Sequence, residues 1–239
     1  MHPCPGVREH PRSMALSTIV KHKHEHFYYS AAQQAESAKL GMWLFLVTEV
    51  LLFSGLFVAY AVVKSSHPEM WAIASKKLNW VMGSVNTVVL ITSSWTVALA
   101  VRAAQTNESG ENNKKIVKLI IWTLFFAAIF MVIKYFEYSH KIHDGLLPAM
   151  WWDHASVIAN PAYADLPANS YLFFGLYFCL TGLHGLHILI GMSVLIWVMV
   201  RANKGHFYKD HYTAVEIGGL YWHLVDLIWI YLFPLLYLV

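Results

Sequence analysis

The sequence predicts an all-α integral membrane bundle of five transmembrane helices, N-terminus cytoplasmic and C-terminus external. Three observations carry this expectation. Of 239 residues, 57% are hydrophobic and 13% charged, against about 25% charged in a soluble domain. The apolar residues gather in five runs, at 40–63, 80–101, 116–138, 170–200 and 214–238. Each reaches the ~20 helical residues needed to cross a bilayer core. Lysine and arginine then alternate between connections as the positive-inside rule describes.

Residues 1–37 hold no apolar core, because Arg8, Arg12, Lys21 and Lys23 break them up. No signal peptide is read there. The segment is expected to be a cytoplasmic tail ahead of a membrane domain at 38–239, with Met14 as an alternative start. His22, His24 and His26, set among Lys21 and Lys23, read as a solvated stretch rather than a metal site. The unbroken apolar runs call for helices, since barrel strands alternate in polarity.

Basic residues set the orientation. Arg8, Arg12, Lys21, Lys23 and Lys39 precede the first run, Arg102, Lys114, Lys115 and Lys118 surround the second connection, and Arg201, Lys204 and Lys209 the fourth. Lys64, Lys76, Lys77 and Lys141 fall on the opposite side, and Lys134 lies inside the third run. The excess on the first side marks it as cytoplasmic. The longest connection, 139–169, is then external. It holds Pro148, Pro161, Pro167 and the pair Trp151 and Trp152, read as interfacial anchors, with a partner contact as the alternative.

Cys4 and Cys179 are expected at different depths and unpaired, and two thiols do not make a zinc or iron–sulfur site. A net charge of +3, spread over short loops, carries no nucleic-acid footprint.

Ionisable residues inside spans are costly and face a bundle interior or a partner. Glu49 stands near mid-membrane among Val47, Val50, Leu51 and Leu52. Hydrocarbon disfavours an unpaired carboxylate there, so it reads either as a proton-related acid or as a neutral, hydrogen-bonded structural one. Lys134 and Glu137 are three apart, which suits a local ion pair. His184 and His187 share a face with Gly182 and Gly185 beside them, while Glu216, His223 and Asp226 share a face of the last run. A buried polar network setting helix register accounts for these residues. No nucleophile or complete ligand set accompanies them, so no catalytic, cofactor-binding or metal residue is assigned.

Several stretches together resemble subunit III of the haem-copper oxidases in its shorter, five-helix form. They are Gly41-Met42-Trp43-Leu44-Phe45-Leu46-Val47-Thr48-Glu49-Val50 and Asn86-Thr87-Val88-Val89-Leu90-Ile91-Thr92-Ser93-Ser94. Further along come Glu137-Tyr138, Thr181-Gly182-Leu183-His184-Gly185-Leu186-His187, and Glu216 followed by Tyr221-Trp222-His223-Leu224-Val225-Asp226-Leu227-Ile228-Trp229. The resemblance runs from about Lys39 to the C-terminus.

It implies a chain without redox centres in a bacterial cytoplasmic (inner) membrane. Haem and copper would sit in partner subunits, with subunit I of a cytochrome c oxidase as the main contact. Other oxidase subunits, bound phospholipid and a larger respiratory supercomplex are further implied partners. Members of the family support proton uptake into subunit I and slow its turnover-linked inactivation. Glu49 matches the family's membrane-embedded carboxylate, and His184, His187, Glu216, His223 and Asp226 its internal polar network. Lys134 stands where glutamine is frequent, which favours an ion pair over a relay, and the 139–169 loop is longer than in many relatives.

Other readings remain. One is the small subunit that accompanies a nitric oxide reductase, another the equivalent chain of a quinol oxidase. From other classes come a b-type cytochrome with His184 and His223 as axial ligands and a proton-coupled transporter built on Glu49. The transporter reading lacks helices broken at Gly or Pro.

Overall fold

The computed structural model describes residues 31–108, 111–148, 152–208 and 211–238. Met14, the His22–His24–His26 cluster and Cys4 lie outside the described residues. The elements are α1 (Ala31–Ser66), α2 (Pro68–Ser75), α3 (Trp80–Gln105), α4 (Asn113–His143), α5 (His154–Ala159), α6 (Tyr171–Asn203) and α7 (Thr213–Tyr237). Single 3-10 turns at Pro161–Tyr163 and Ala168–Ser170 precede α6. Five of these helices are long and apolar enough to cross a membrane, which makes the chain an all-α membrane bundle.

Four of the five spanning helices, α1, α3, α4 and α6, extend beyond an end of their apolar runs, and α7 equals its run in length. The first is already helical at Ala31, the first described residue and nine ahead of the run, in keeping with turns rich in alanine and glutamine, which keep a helix going in water. Asn79 caps α3 with its side-chain oxygen, accepting from the Val81 and Met82 amides at 3.1 and 3.3 Å. Gly145 and Gly205, both at φ 75°, close α4 and α6. In each case the amide one residue further on reaches back to a last-turn carbonyl, Leu146 to Lys141 at 3.0 Å and His206 to Arg201 at 3.2 Å.

Four spans form a ring in the order α3, α4, α6, α7, each packed on the next. α1 stands outside this ring, laid on α6 and α7, and buries the smallest share of its length among the five. Glycines let the ring close tightly. A methyl group on Gly191 would lie 2.9 Å from the Trp222 ring, one on Gly219 2.8 Å from Val101, and one on Gly83 2.7 Å from Phe233. The Trp222 indole N–H donates to Ser93 Oγ at 3.0 Å, so that ring is held and cannot swing aside. Thr96 and Thr123 join α3 to α4 at 2.8 Å, and Trp229 donates to Thr87 Oγ1 at 3.1 Å.

The 139–169 connection folds down over one end of the ring. Leu146 and Val157 are fully buried, Trp152 stacks on Phe174 at 6.0 Å, and the Tyr163 hydroxyl donates to Asp144 at 2.8 Å. Burial and the neighbouring Asp144 carboxylate push the Tyr163 hydroxyl above its ordinary pKa. Trp152, expected to anchor in the bilayer interface, also covers the start of α6; Trp151 lies outside the described residues. Lys77 ties the loop to the end of α2 through Asp165 at 2.6 Å, and its ammonium holds the Asp165 carboxyl below its ordinary value of 3.8.

Two outcomes follow from this packing. Gly191→Ala should destabilise the solubilised protein by about 1–3 kcal/mol, because the methyl meets a fixed indole. Gly185→Ala, with nothing within 4 Å of its added carbon, should leave thermal unfolding unchanged. A folded-state carboxyl pKa lowered by a cation gives a tie that is intact above pH 3.8 and weakens as pH falls through the lowered value. Protease nicking of the loop should therefore be flat from pH 7 to that point and rise below it, and Asp165→Asn should nick faster at neutral pH.

Candidate functional site

The polar residues of the spans do not gather into one network. They form separate groups, most of them bridging two helices at different depths.

The first group joins α1 to α6. Glu49 Oε2 lies 2.7 Å from His187 Nε2, with the two side chains 14% and 9% exposed. His187 Nδ1 lies 2.7 Å from the Leu183 carbonyl one turn back. A carbonyl can only accept, so Nδ1 carries a hydrogen. A single proton then serves the contact between Nε2 and Oε2. Either Glu49 is a neutral acid donating to imidazole, or it is a carboxylate accepting from imidazolium. Both states are neutral as a pair, which suits a site in hydrocarbon. Phe53 packs edge-on against His187 at 5.3 Å, and the Tyr221 hydroxyl donates to the His187 carbonyl at 3.2 Å.

The second group lies toward the loop-covered end. Lys134 Nζ donates to Glu137 Oε2 at 2.9 Å, to Tyr237 at 2.9 Å and to Tyr177 at 3.3 Å, and all three of its hydrogens are used. Tyr237 in turn donates to Glu137 Oε1 at 2.7 Å. The ammonium also sits over the Trp229 ring at 4.8 Å, a favourable cation–π distance. Lys141, 4% exposed, lies over the Tyr177 ring at 5.4 Å. Three helices, α4, α6 and α7, meet in this knot.

The third group joins α3 to α7. Ser94 Oγ lies 2.6 Å from His223 Nδ1, and the Asp226 carboxyl, 2% exposed, lies beside the same hydroxyl.

Two of the expected network residues stand apart from these groups. Glu216 pairs with Lys39 of α1 at 2.9 Å and with no histidine, because its spacing of seven from His223 places it two turns, about 10 Å, along the helix. His184 is fully buried without a hydrogen-bond partner among the described residues, its ring set against Trp229 at 5.1 Å and Phe130 at 5.6 Å. The axial-ligand reading of His184 and His223 meets this geometry poorly, since one ring is enclosed by aromatics and the other is engaged by Ser94. Among the described residues no three His, Cys, Asp or Glu side chains converge on one point.

Tyr177, Tyr237 and Lys141 were not anticipated, since each reads in sequence as an interfacial or flanking residue. Ser94 stood in a quoted stretch, but a serine in a span carries no signal of its own. Asn86, at the head of the same stretch, is fully buried on α3 with neither amide atom hydrogen-bonded among the described residues.

Comparison with known proteins is consistent across the chain. A sequence model described as Cytochrome c oxidase subunit III matches residues 18–156 and 164–239. Cytochrome c oxidase subunit 3 of Thermostichus vulcanus is 30% identical over 95% of this chain and 95% of its own length. The protein of the same name from Synechocystis sp. is 30% identical over 83% of this chain and 74% of its own. A probable quinol oxidase subunit 3 of Staphylococcus saprophyticus is 24% identical over 84% of this chain and 88% of its own. With its five spans, its quoted stretches and these matches, the chain belongs to the cytochrome c oxidase subunit III family.

Proposed function

We propose that this chain is the cofactor-free third subunit of an aerobic respiratory cytochrome c oxidase, in which Glu49 and His187 support proton uptake and turnover lifetime of the catalytic subunit. The observation that carries this reading is the 2.7 Å contact between them, in which one proton is shared and the pair stays neutral in either state. Within such a pair the proton can move from one partner to the other without placing a net charge in hydrocarbon. The reading places the N-terminus in the cytoplasm of a bacterial inner membrane, by the bias of Lys and Arg. It also seats the chain on subunit I, which holds the haem and copper. Cytochrome c is the preferred donor because the relatives named for it match at higher identity than the relative named for quinol.

The geometry also supports bound phospholipid. A groove of about 780 Å³ opens between α4 and α6. Its deep part is apolar, lined by Phe130, Leu186 and Leu189, and its outer end carries Ser139 and His143. Gly182 and Gly185 supply its width, which suits an acyl chain with its polar end outward.

The Lys134–Glu137 knot reads as structural, since its three ammonium hydrogen bonds go to Glu137, Tyr177 and Tyr237 and tie α4 to α6 and α7.

Glu49→Gln keeps a hydrogen-bonding side chain at the same place but removes the shared proton. The complex should assemble normally and lose activity several-fold sooner during sustained turnover, read from oxygen consumption traces. Loss of assembly with unchanged kinetics in the surviving complex would contradict the proton role. Lys134→Met should destabilise the protein by about 3–5 kcal/mol by stranding a buried carboxylate, and Lys134→Met with Glu137→Leu should recover most of that loss. Denaturant titration of the solubilised protein measures both, and a single variant as stable as the double would contradict the structural role.

A further inference from the structure

We propose that His223, Ser94 and Asp226 form a proton-exchange chain, through which the buried Asp226 carboxyl takes up and releases a proton at the Arg102 end of the bundle. Asp226 is 2% exposed, and neither carboxyl oxygen makes a hydrogen bond of standard geometry among the described residues. A lone carboxylate in such a place is costly, and a carboxyl that exchanges its proton needs a route to water.

Ser94 supplies the first step of that route. Its hydroxyl lies beside Asp226 and 2.6 Å from His223 Nδ1. A hydroxyl donates and accepts at once, so it can hand a proton on while receiving another. His223 supplies the second step. Its ring lines a crevice of about 430 Å³ between α3 and α7, together with Arg102, Gln105 and Glu216. Thr213, where α7 begins, is ten residues from His223, or about 15 Å along the helix. The crevice thus reaches from the polar end of the ring to roughly mid-span.

The charged groups facing the route stand at its mouth. They are Arg102 on α3, Glu216 on α7, and Lys39 of α1, which is paired with Glu216. Among the described residues no ion pair involves His223 or Asp226, so the inner groups exchange with each other and with the crevice alone.

The transfer balances without any further reactant. A proton from crevice water binds His223 Nε2. The Nδ1–H proton passes to Ser94 Oγ as the Ser94 O–H proton passes to the Asp226 carboxylate. The result is neutral Asp226 and neutral imidazole carrying its hydrogen on Nε2; reorientation of the hydroxyl and reversal of the imidazole tautomer return Ser94 and His223 to their starting forms, and the reverse passage releases the Asp226 proton. No electron moves. This chain shares no residue with the Glu49–His187 pair, so the two assignments stand or fall separately.

Infrared difference spectroscopy of the assembled complex tests the proposal. Subtracting the Asp226→Asn spectrum isolates any protonated-carboxyl band of Asp226, and transfer into D2O times its exchange. The wild type should show the band. Ser94→Ala and His223→Phe should keep it but slow its exchange about tenfold or more, as expected for loss of a positioned proton carrier. Ser94→Thr, which retains the hydroxyl, should exchange like the wild type, a result that a merely structural role for Ser94 would not produce. Absence of an Asp226 band at every pH overturns the proposal, as does Ser94→Ala exchanging at the wild-type rate. If Ser94→Ala fails to assemble, His223→Phe decides the matter by the same two outcomes.

Discussion

Helices in hydrocarbon gain nothing from hiding apolar surface from one another, because the lipid is as apolar as they are. Everything peculiar to the arrangement of α1 follows from that constraint. This helix lies outside the ring and shows much of its length to lipid, with Trp43, Leu44 and Leu51 more than half exposed. Its position is set by polar ties at three levels. Lys39 meets Glu216 at one end, Glu49 meets His187 in the middle, and the Tyr60 hydroxyl donates to the Leu235 carbonyl at 2.7 Å near the other. In water such ties would be worth little, whereas in lipid they are what distinguishes one docking from another. The middle tie has a second property, because it can be made with the proton on either partner.

The ring of α3, α4, α6 and α7 is held differently. Close approach brings backbone against large aromatic rings at Gly83 and Gly191 and against Val97 and Val101 at Gly219, and dispersion contacts supply attraction that hydrophobicity does not. Two buried indoles then find a specific partner across a helix pair, Trp222 with Ser93 and Trp229 with Thr87. Polar groups are distributed so that α4, α6 and α7 are locked together near the loop-covered end, while α3 and α7 meet through Ser94 and His223 nearer the other. The loop covers Phe174 through Trp152, and Trp71 of α2 covers Phe173, so that both phenylalanines are fully buried.

The spans were legible in sequence because run length is a direct reading of bilayer thickness. Their ends were less so, since α1 continues through Ala31–Lys39 where hydropathy is silent but helix propensity is not. Local pairs were equally readable. Lys134 and Glu137 lie three apart on one helix, and helical geometry alone brings them together. Long-range partners were not. Glu49 and His187 are separated by 138 residues, and nothing local says that α1 rests on α6 rather than on α3. The same holds for Glu216, which was expected near histidines and lies against Lys39. His184 and Asn86 are fully buried without hydrogen-bond partners among the described residues; spacing can place a polar residue on an inner face, but it does not say whether the residue is paired.

The claim on which the account depends is that Glu49 and His187 share one proton while Nδ1 of His187 stays bonded to the Leu183 carbonyl. Nitrogen NMR of the protein labelled at histidine, with His187 assigned by difference against His187→Gln, tests this most directly. The account predicts a hydrogen on Nδ1 at every pH at which the protein is folded, and an Nε2 signal that moves toward the fully bare position when Glu49 is replaced by glutamine. A His187 ring bearing its hydrogen on Nε2 alone, with Nδ1 bare, would contradict it.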